Sequence, residues 1–303
     1  MSKKIVIMPV FCEAHLIEYQ IPNIIDTIDP DYIIYNEGMF PRGPESTTIV
    51  SREFIKNYTL DGKRGFDFNL LERIIKKAQE TYRNTKIILN KMDYPVHLTN
   101  ASECYLNAVS NFKVLGIDIE EGDYIFPYEG DVFHLESSKK EIQGYLDQLD
   151  PNTGFKSNWI DFIENQYYCE RSTLKPFIDK IEGRHRKICI RYGTEEFYRD
   201  VVLNFVSQKY PMLYPTDLVT YHYCWWRPGK YKQLRYDQLN RPSYYWQQFD
   251  QALNQIRELK EKEIVLRPDK PISSTARYAS YWEIEHPKAI ANHMNYINKD
   301  KNK

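Results

Sequence analysis

The sequence predicts an α/β chain, a mostly parallel sheet flanked by helices and followed by a less regular second half. Three observations carry that expectation. Short continuous apolar runs alternate with stretches of helical periodicity up to residue 135. Each apolar run ends abruptly in a polar or acidic tip, as strands of a doubly wound sheet do at their carboxyl ends. The composition, 42% hydrophobic and 27% charged over 303 residues, is ample for a sizeable core.

Lys3 to Phe11 (KKIVIMPVF) is a run without alternation, which predicts a strand buried on both faces. Glu13 to Ile28 places Ile17, Ile21, Ile24, Ile25 and Ile28 at helical spacing, with Pro22 expected to kink or divide the helix. Tyr32 to Tyr35 is a second strand, ending in Asn36-Glu37-Gly38. Residues 39–67 carry prolines, glycines, hydroxyls and charges without a sustained period, and read as an ordered loop serving a site. Phe68 to Tyr82 is the clearest amphipathic helix, with Leu71, Ile74, Ile75, Ala78 and Tyr82 on one stripe. Lys86 to Leu89 is the third strand. Asn100 with Glu103 resembles an N-terminal cap for a helix whose stripe is Cys104, Tyr105, Ala108, Phe112 and Leu115.

The next strand opens at Gly122 and delivers two carboxylates, Glu129 and Asp131, to the edge of the sheet, separated by Gly130, where a glycine lets the backbone turn sharply and come close to a ligand. On an extended segment residues i and i+2 point the same way, so both acids can reach one hard divalent cation, Mg²⁺ or Mn²⁺. The same pattern is also that of a solvated acidic turn. Crossover topology makes the sheet largely parallel and gathers the tips Phe11 to Glu13, Glu37, Asn90 to Asp93 and Glu129 to Asp131 at one edge, where such sheets bind ligands. The division expected is a ligand-binding α/β half, 1–135, and an acceptor-side half, 136–303, in one continuous domain.

Within the second half, Lys139 to Leu149 and Thr194 to Val206 read as helices, and Tyr167 to Arg171 and Lys187 to Arg191 as strands. Leu218 to Lys232 reads as a strand running into a basic, aromatic loop, and Pro242 to Lys262 as a polar helix. The formal charge of −1 supplies no global field toward nucleic acid or membrane. Five scattered cysteines without a CxxC pair argue against a disulfide framework or structural zinc and point to a reducing cytoplasm. No run reaches membrane-spanning length. Aromatics make up 15% of the chain, including 25 Tyr and 5 Trp, side chains suited to stacking on bases and sugars as well as to filling a core.

Three segments together resemble nucleotide-sugar-dependent glycosyltransferases of the GT-A type, especially family-2-like and family-17-like members. They are IVIMPVFCEAHLIEYQIPNIIDTIDPDYIIYNEG, EGDYIFPYEGDVFH and VTYHYCWWRPGKYK. The likeness covers roughly two thirds of the chain through short motifs. It implies a GT-A-like, Rossmann-related fold that transfers a sugar from a nucleoside diphosphate donor to a glycan or other hydroxyl acceptor. The second segment looks like the Asp-x-Asp metal motif, with Glu129 where aspartate is usual. By resemblance Glu129, Asp131 and His222 hold Mn²⁺ or Mg²⁺, with His134 a competitor inside the motif and a packed strand histidine the alternative for His222. Pro9, Phe11, Glu37 and Lys91 fall at the donor-binding strand tips. Arg227 and Lys230 stand where a loop would neutralise the departing diphosphate. The general base falls at Glu195 or Glu196, acids that would also simply stabilise a helix N-terminus.

Two other functions stay open on the sequence. A nucleotidyltransferase would use the same sheet and metal, but Pro9 to Glu13 lacks the glycines of a phosphate loop. A non-catalytic carbohydrate- or nucleic-acid-binding module would use the aromatic, basic stretch Trp225 to Arg241, although nucleic acid is not the favoured partner.

Overall fold

The fold rests on a strand, β1 (Lys4–Val10), that is buried on both faces. Ile5 and Ile7 point to one side, against Ile34, Phe112, Ile125 and Ile190, while Val6, Met8 and Val10 point to the other, against Ile17, Ile21, Ile24 and Ile75. That is the packing a continuous apolar run demands. The computed structural model describes residues 2–38, 52–60, 62, 64–92, 108–162, 168–170, 185–203, 212–214, 218–223, 226–238, 279–281 and 284–293. Among the described residues no helix is long and apolar enough to cross a membrane.

In chain order the first half contains β1, α1 (Ala14–Thr27), β2 (Tyr32–Glu37), α2 (Arg52–Tyr58), β3 (Thr59–Leu60), β4 (Arg64–Gly65), α3 (Phe68–Thr81), β5 (Lys86–Lys91), β6 (Tyr124–Pro127) and β7 (Val132–Phe133). Then follow α4 (Lys139–Leu146), β8 (Thr153–Asp161), β9 (Tyr168–Glu170), β10 (His185–Arg191), α5 (Glu195–Leu203), β11 (Met212–Leu213), β12 (Val219–His222), α6 (Gly229–Gln238) and β13 (Ala279–Tyr281). Helix α1 runs undivided through Pro22.

The main sheet has the order β5-β2-β1-β6-β10-β8-β12-β7, with β11 added beside β8. β5, β2, β1 and β6 are mutually parallel. Beyond them β10 is antiparallel to both β6 and β8, β12 is parallel to β8, and β7 closes the row antiparallel to β12. The protein is therefore an α/β fold with a mostly parallel sheet, to which both halves of the chain contribute. The sheet must also curl. In a flat sheet β6 and β7 would lie four strand spacings, roughly 19 Å, apart, while the chain between Pro127 and Val132 reaches at most about 17 Å. Curling brings β7, at the end of the row, back beside the carboxyl end of β6.

Several expectations change here. The described part of 39–67 is not loop but helix α2 and the small β3–β4 hairpin. Lys230 lies on helix α6 rather than in a loop. The long strand β8 was not expected. The sharp turn expected at Gly130 is present, between β6 and β7, so Glu129 and Asp131 stand in a turn and not on one extended segment. The Pro242 to Lys262 helix lies outside the described residues, as do Trp225 and Asn100 to Asn107.

Candidate metal centre

The turn Tyr128 to Asp131 is held from below by α1. Gln20, fully buried, donates its side-chain amide to the carbonyls of Glu129 and Val132, at 2.5 and 3.1 Å. Asn23 donates to the His134 carbonyl at 2.7 Å and accepts the His134 N–H at 2.9 Å. Gly130 allows the close approach: a Cβ there would stand 2.5 Å from Glu13 Oε2 and 3.1 Å from Ile17 Cδ1. On the other side the Tyr223 N–H donates to the Asp131 carbonyl at 2.9 Å, tying the turn to the end of β12.

Register then supplies the third group. His222 stands opposite Val132 on β7 and opposite Asp161 on β8. Its Nε2 lies 3.3 Å from Asp131 Oδ1 and 3.8 Å from Glu129 Oε2, and potential ligand atoms of the three residues all lie within 4.8 Å of one another. Asp131 and His222 are nearly sealed, while the Glu129 side chain keeps 21% of its surface and is the open face of the cluster. His222 Nδ1 is hydrogen-bonded to Asp161 Oδ1, and the Trp159 ring stacks on the imidazole at 4.8 Å and 23°. Arg227, itself buried, bridges Asp131 Oδ2 at 3.1 Å and Glu13 Oε1 at 2.9 Å through Nη2.

The donor set fits a divalent cation. Two carboxylates and an imidazole suit Mn²⁺, and suit Mg²⁺ less well because it prefers an all-oxygen octahedron. Charge points the same way: Glu13 and Asp131 meet the Arg227 guanidinium while Glu129, Asp131 and Asp161 surround the His222 ring, four carboxylates in all against one guanidinium, an excess that a divalent cation would offset.

The structure brings together Glu129, Asp131, His222 and Arg227. His134 is not in this group: it is fully buried with Nδ1 on the Val219 carbonyl. Glu37 sits at the tip of β2, two strand spacings or roughly 10 Å from β6. Its carboxylate is already engaged by Arg64 Nη1 at 2.9 Å and the Gly65 N–H at 3.1 Å, and burial raises its pKa against the pull of those donors. Pro9 is buried within β1, and Phe11 is buried against Tyr58, Met92 and Leu234. Lys91 is turned outward to Glu72, and Lys230 lies over the Phe66 ring at 4.5 Å.

Glu195 and Glu196 are not brought to the cluster. They open α5 directly after β10, whose carboxyl end is paired with Tyr124 at the start of β6. Five residues of chain, roughly 16 Å if extended, separate that end from Glu129. Both acids are exposed on the opposite edge of the sheet, where they suit the helix N-terminus.

Sequence reasoning missed Asp161, Trp159, Arg64 and Asp67. Asp67 takes the place of a cap for α1, accepting the Ala14 N–H at 2.8 Å, and burial raises its pKa. The available signal for Asp161 was an acid closing the segment Trp159-Ile160-Asp161, the same strand-tip pattern as at Glu37.

No model of a known protein family matches the chain, and no curated protein matches it. Among solved structures it is similar to a mannosyltransferase from Pyrobaculum calidifontis in complex with GDP-Man and Mn²⁺, at 12% identity and TM-score 0.42 over 86% of this chain. It is also similar to a mannose-1-phosphate geranyltransferase from Thermus thermophilus, at 9% identity and TM-score 0.28 over the same share. The match spans 64% of the length of either protein. At these scores the likenesses decide nothing, and the fold class rests on the strand order itself.

Proposed function

We propose that the protein is a divalent-metal-dependent glycosyltransferase acting on a nucleoside diphosphate sugar and a hydroxyl acceptor. The observation that carries the proposal is the convergence of Glu129, Asp131 and His222 where β6 ends and β12 ends, with Arg227 alongside. Glu129, Asp131 and His222 would hold the cation, which when bound supplies Lewis-acid neutralisation of a diphosphate. The chain's own contribution is positional. Gln20 and Asn23 fix the turn, Asp161 and Trp159 fix the imidazole, and the partly exposed Glu129 leaves one side of the cluster accessible. Arg227 adds a fixed positive charge beside the site where negative charge would grow as a glycosidic bond to phosphate breaks.

The test is calorimetric titration of the full chain with a panel of nucleoside diphosphates, with and without Mn²⁺, followed by product analysis on nucleotide sugars. Metal-dependent binding that Asp131→Ala abolishes, with sugar transfer and no pyrophosphate release, is the expected result. Pyrophosphate release would assign nucleotidyl transfer instead. Binding that ignores both metal and Asp131 would reject the site.

A further inference from the structure

We propose that Asp161 is the positioning residue of the cluster, selecting the His222 tautomer whose Nε2 lone pair faces Glu129 and Asp131. The inference deepens the metal reading above and takes its purpose from it, although its first measurement needs no metal.

A carboxylate can only accept, so the His222 Nδ1 bonded to Asp161 Oδ1 must carry the hydrogen. In the neutral ring that leaves the lone pair on Nε2, the atom lying 3.3 Å from Asp131 Oδ1 and 3.8 Å from Glu129 Oε2. The opposite tautomer, which an unconstrained histidine side chain favours, would aim an N–H at the two acids. Nε2 would then have no lone pair to give a cation. Asp161 is 2% exposed and is the register partner of His222 across β8 and β12, so the pairing follows from the backbone ladder itself. Trp159, one step diagonally along β8, stacks on the ring and restricts its rotation. Two degrees of freedom, ring orientation and proton position, are thereby set by one strand. A histidine that binds metal is held in this way when its second ring nitrogen donates to a carboxylate.

The experiment is long-range ¹H–¹⁵N spectroscopy of the metal-free full chain with ¹⁵N-labelled histidine, at alkaline pH, assigned by His222→Gln. The expected wild-type pattern is a protonated Nδ1 and an unprotonated Nε2 at His222. Asp161→Asn should shift that residue toward the other tautomer and weaken Mn²⁺ binding, read by electron paramagnetic resonance, by about 10- to 100-fold. Asp161→Glu should restore the wild-type tautomer. Because the wild-type spectrum stands alone, a variant that fails to fold does not remove the test. A wild-type His222 protonated on Nε2, or a pattern indifferent to Asp161→Asn, overturns the inference. The expected tautomers together with a wild-type protein that binds no Mn²⁺ would uphold the inference while rejecting the metal reading of the site.

Discussion

Replacing Arg227 with methionine keeps the apolar stem and removes the guanidinium from between two acids. The Arg227 side chain is 3% exposed, Asp131 4% and Glu13 14%, so the variant leaves two poorly hydrated carboxylates without their bridging cation. Removing one member of a buried ion pair costs about 3–5 kcal/mol. For a chain of this size about 2 °C of Tm accompanies each kcal/mol, so thermal unfolding in chelator should begin roughly 6–10 °C lower than in the wild type. Mn²⁺ would then meet an Asp131 released from its competitor. Added metal should raise the Tm of Arg227→Met by more than it raises that of the wild type, since the stabilisation from a ligand grows with its affinity for the folded state. Differential scanning fluorimetry across a Mn²⁺ series measures both effects. A drop of less than about 2 °C in chelator would contradict the desolvation of this pair. Equal metal shifts in variant and wild type would show that Arg227 and the cation do not share Asp131.

Gln20→Leu should cost about 1–3 kcal/mol, because it takes the side-chain donor from the buried Val132 carbonyl and leaves the Glu129 carbonyl only the Val132 N–H at 3.3 Å, and it should weaken Mn²⁺ binding; urea unfolding and metal titration check the two halves separately. The double variant Glu195→Gln/Glu196→Gln should retain wild-type turnover in any donor assay, since both acids sit on the far edge of the sheet; a large loss of turnover at unchanged stability would contradict that placement. Burial lowers the His293 pKa from 6.5 to about 4, so the unfolded chain takes up the proton first, and this contribution to stability is complete above about pH 6.5 and is lost as pH falls toward 4. Buried His15 slopes the same way, and the raised carboxyls of Glu37 and Asp67 slope the other way. The His293 share is therefore read as the flattening of the acid limb in His293→Phe, a ring that keeps the packing on Trp226 and Tyr19.

Where one physical rule dominated, the sequence was easy to read. β1 is apolar at every second position on both faces, so its burial between two core layers follows directly. The three ligand candidates were legible because acids and a histidine interrupt otherwise apolar strands, which is costly without a purpose. The turn at Gly130 was legible as well, but not what holds it: Gln20 and Glu13 of the first strand–helix unit meet it through contacts that link positions far apart in the chain. Strand direction was hidden as well. β10 looks like any other strand tip followed by acids, but its antiparallel pairing sends Glu195 and Glu196 to the wrong edge. Asp161 escaped because one face of β8, with Ser157, Trp159 and Asp161, is polar where it lines the site, so hydrophobic alternation is weak there. Helix α6 escaped because Gly229 to Gln238 lacks an apolar stripe.

Metal titration of the wild type against Asp131→Asn and His222→Ala tests the central claim most directly. Spin-quantified Mn²⁺ resonance should give one bound ion per wild-type chain and a loss of binding in either variant, with both variants folded by circular dichroism. A wild-type protein that leaves Mn²⁺ free in solution, or variants that bind it equally well, would contradict the account.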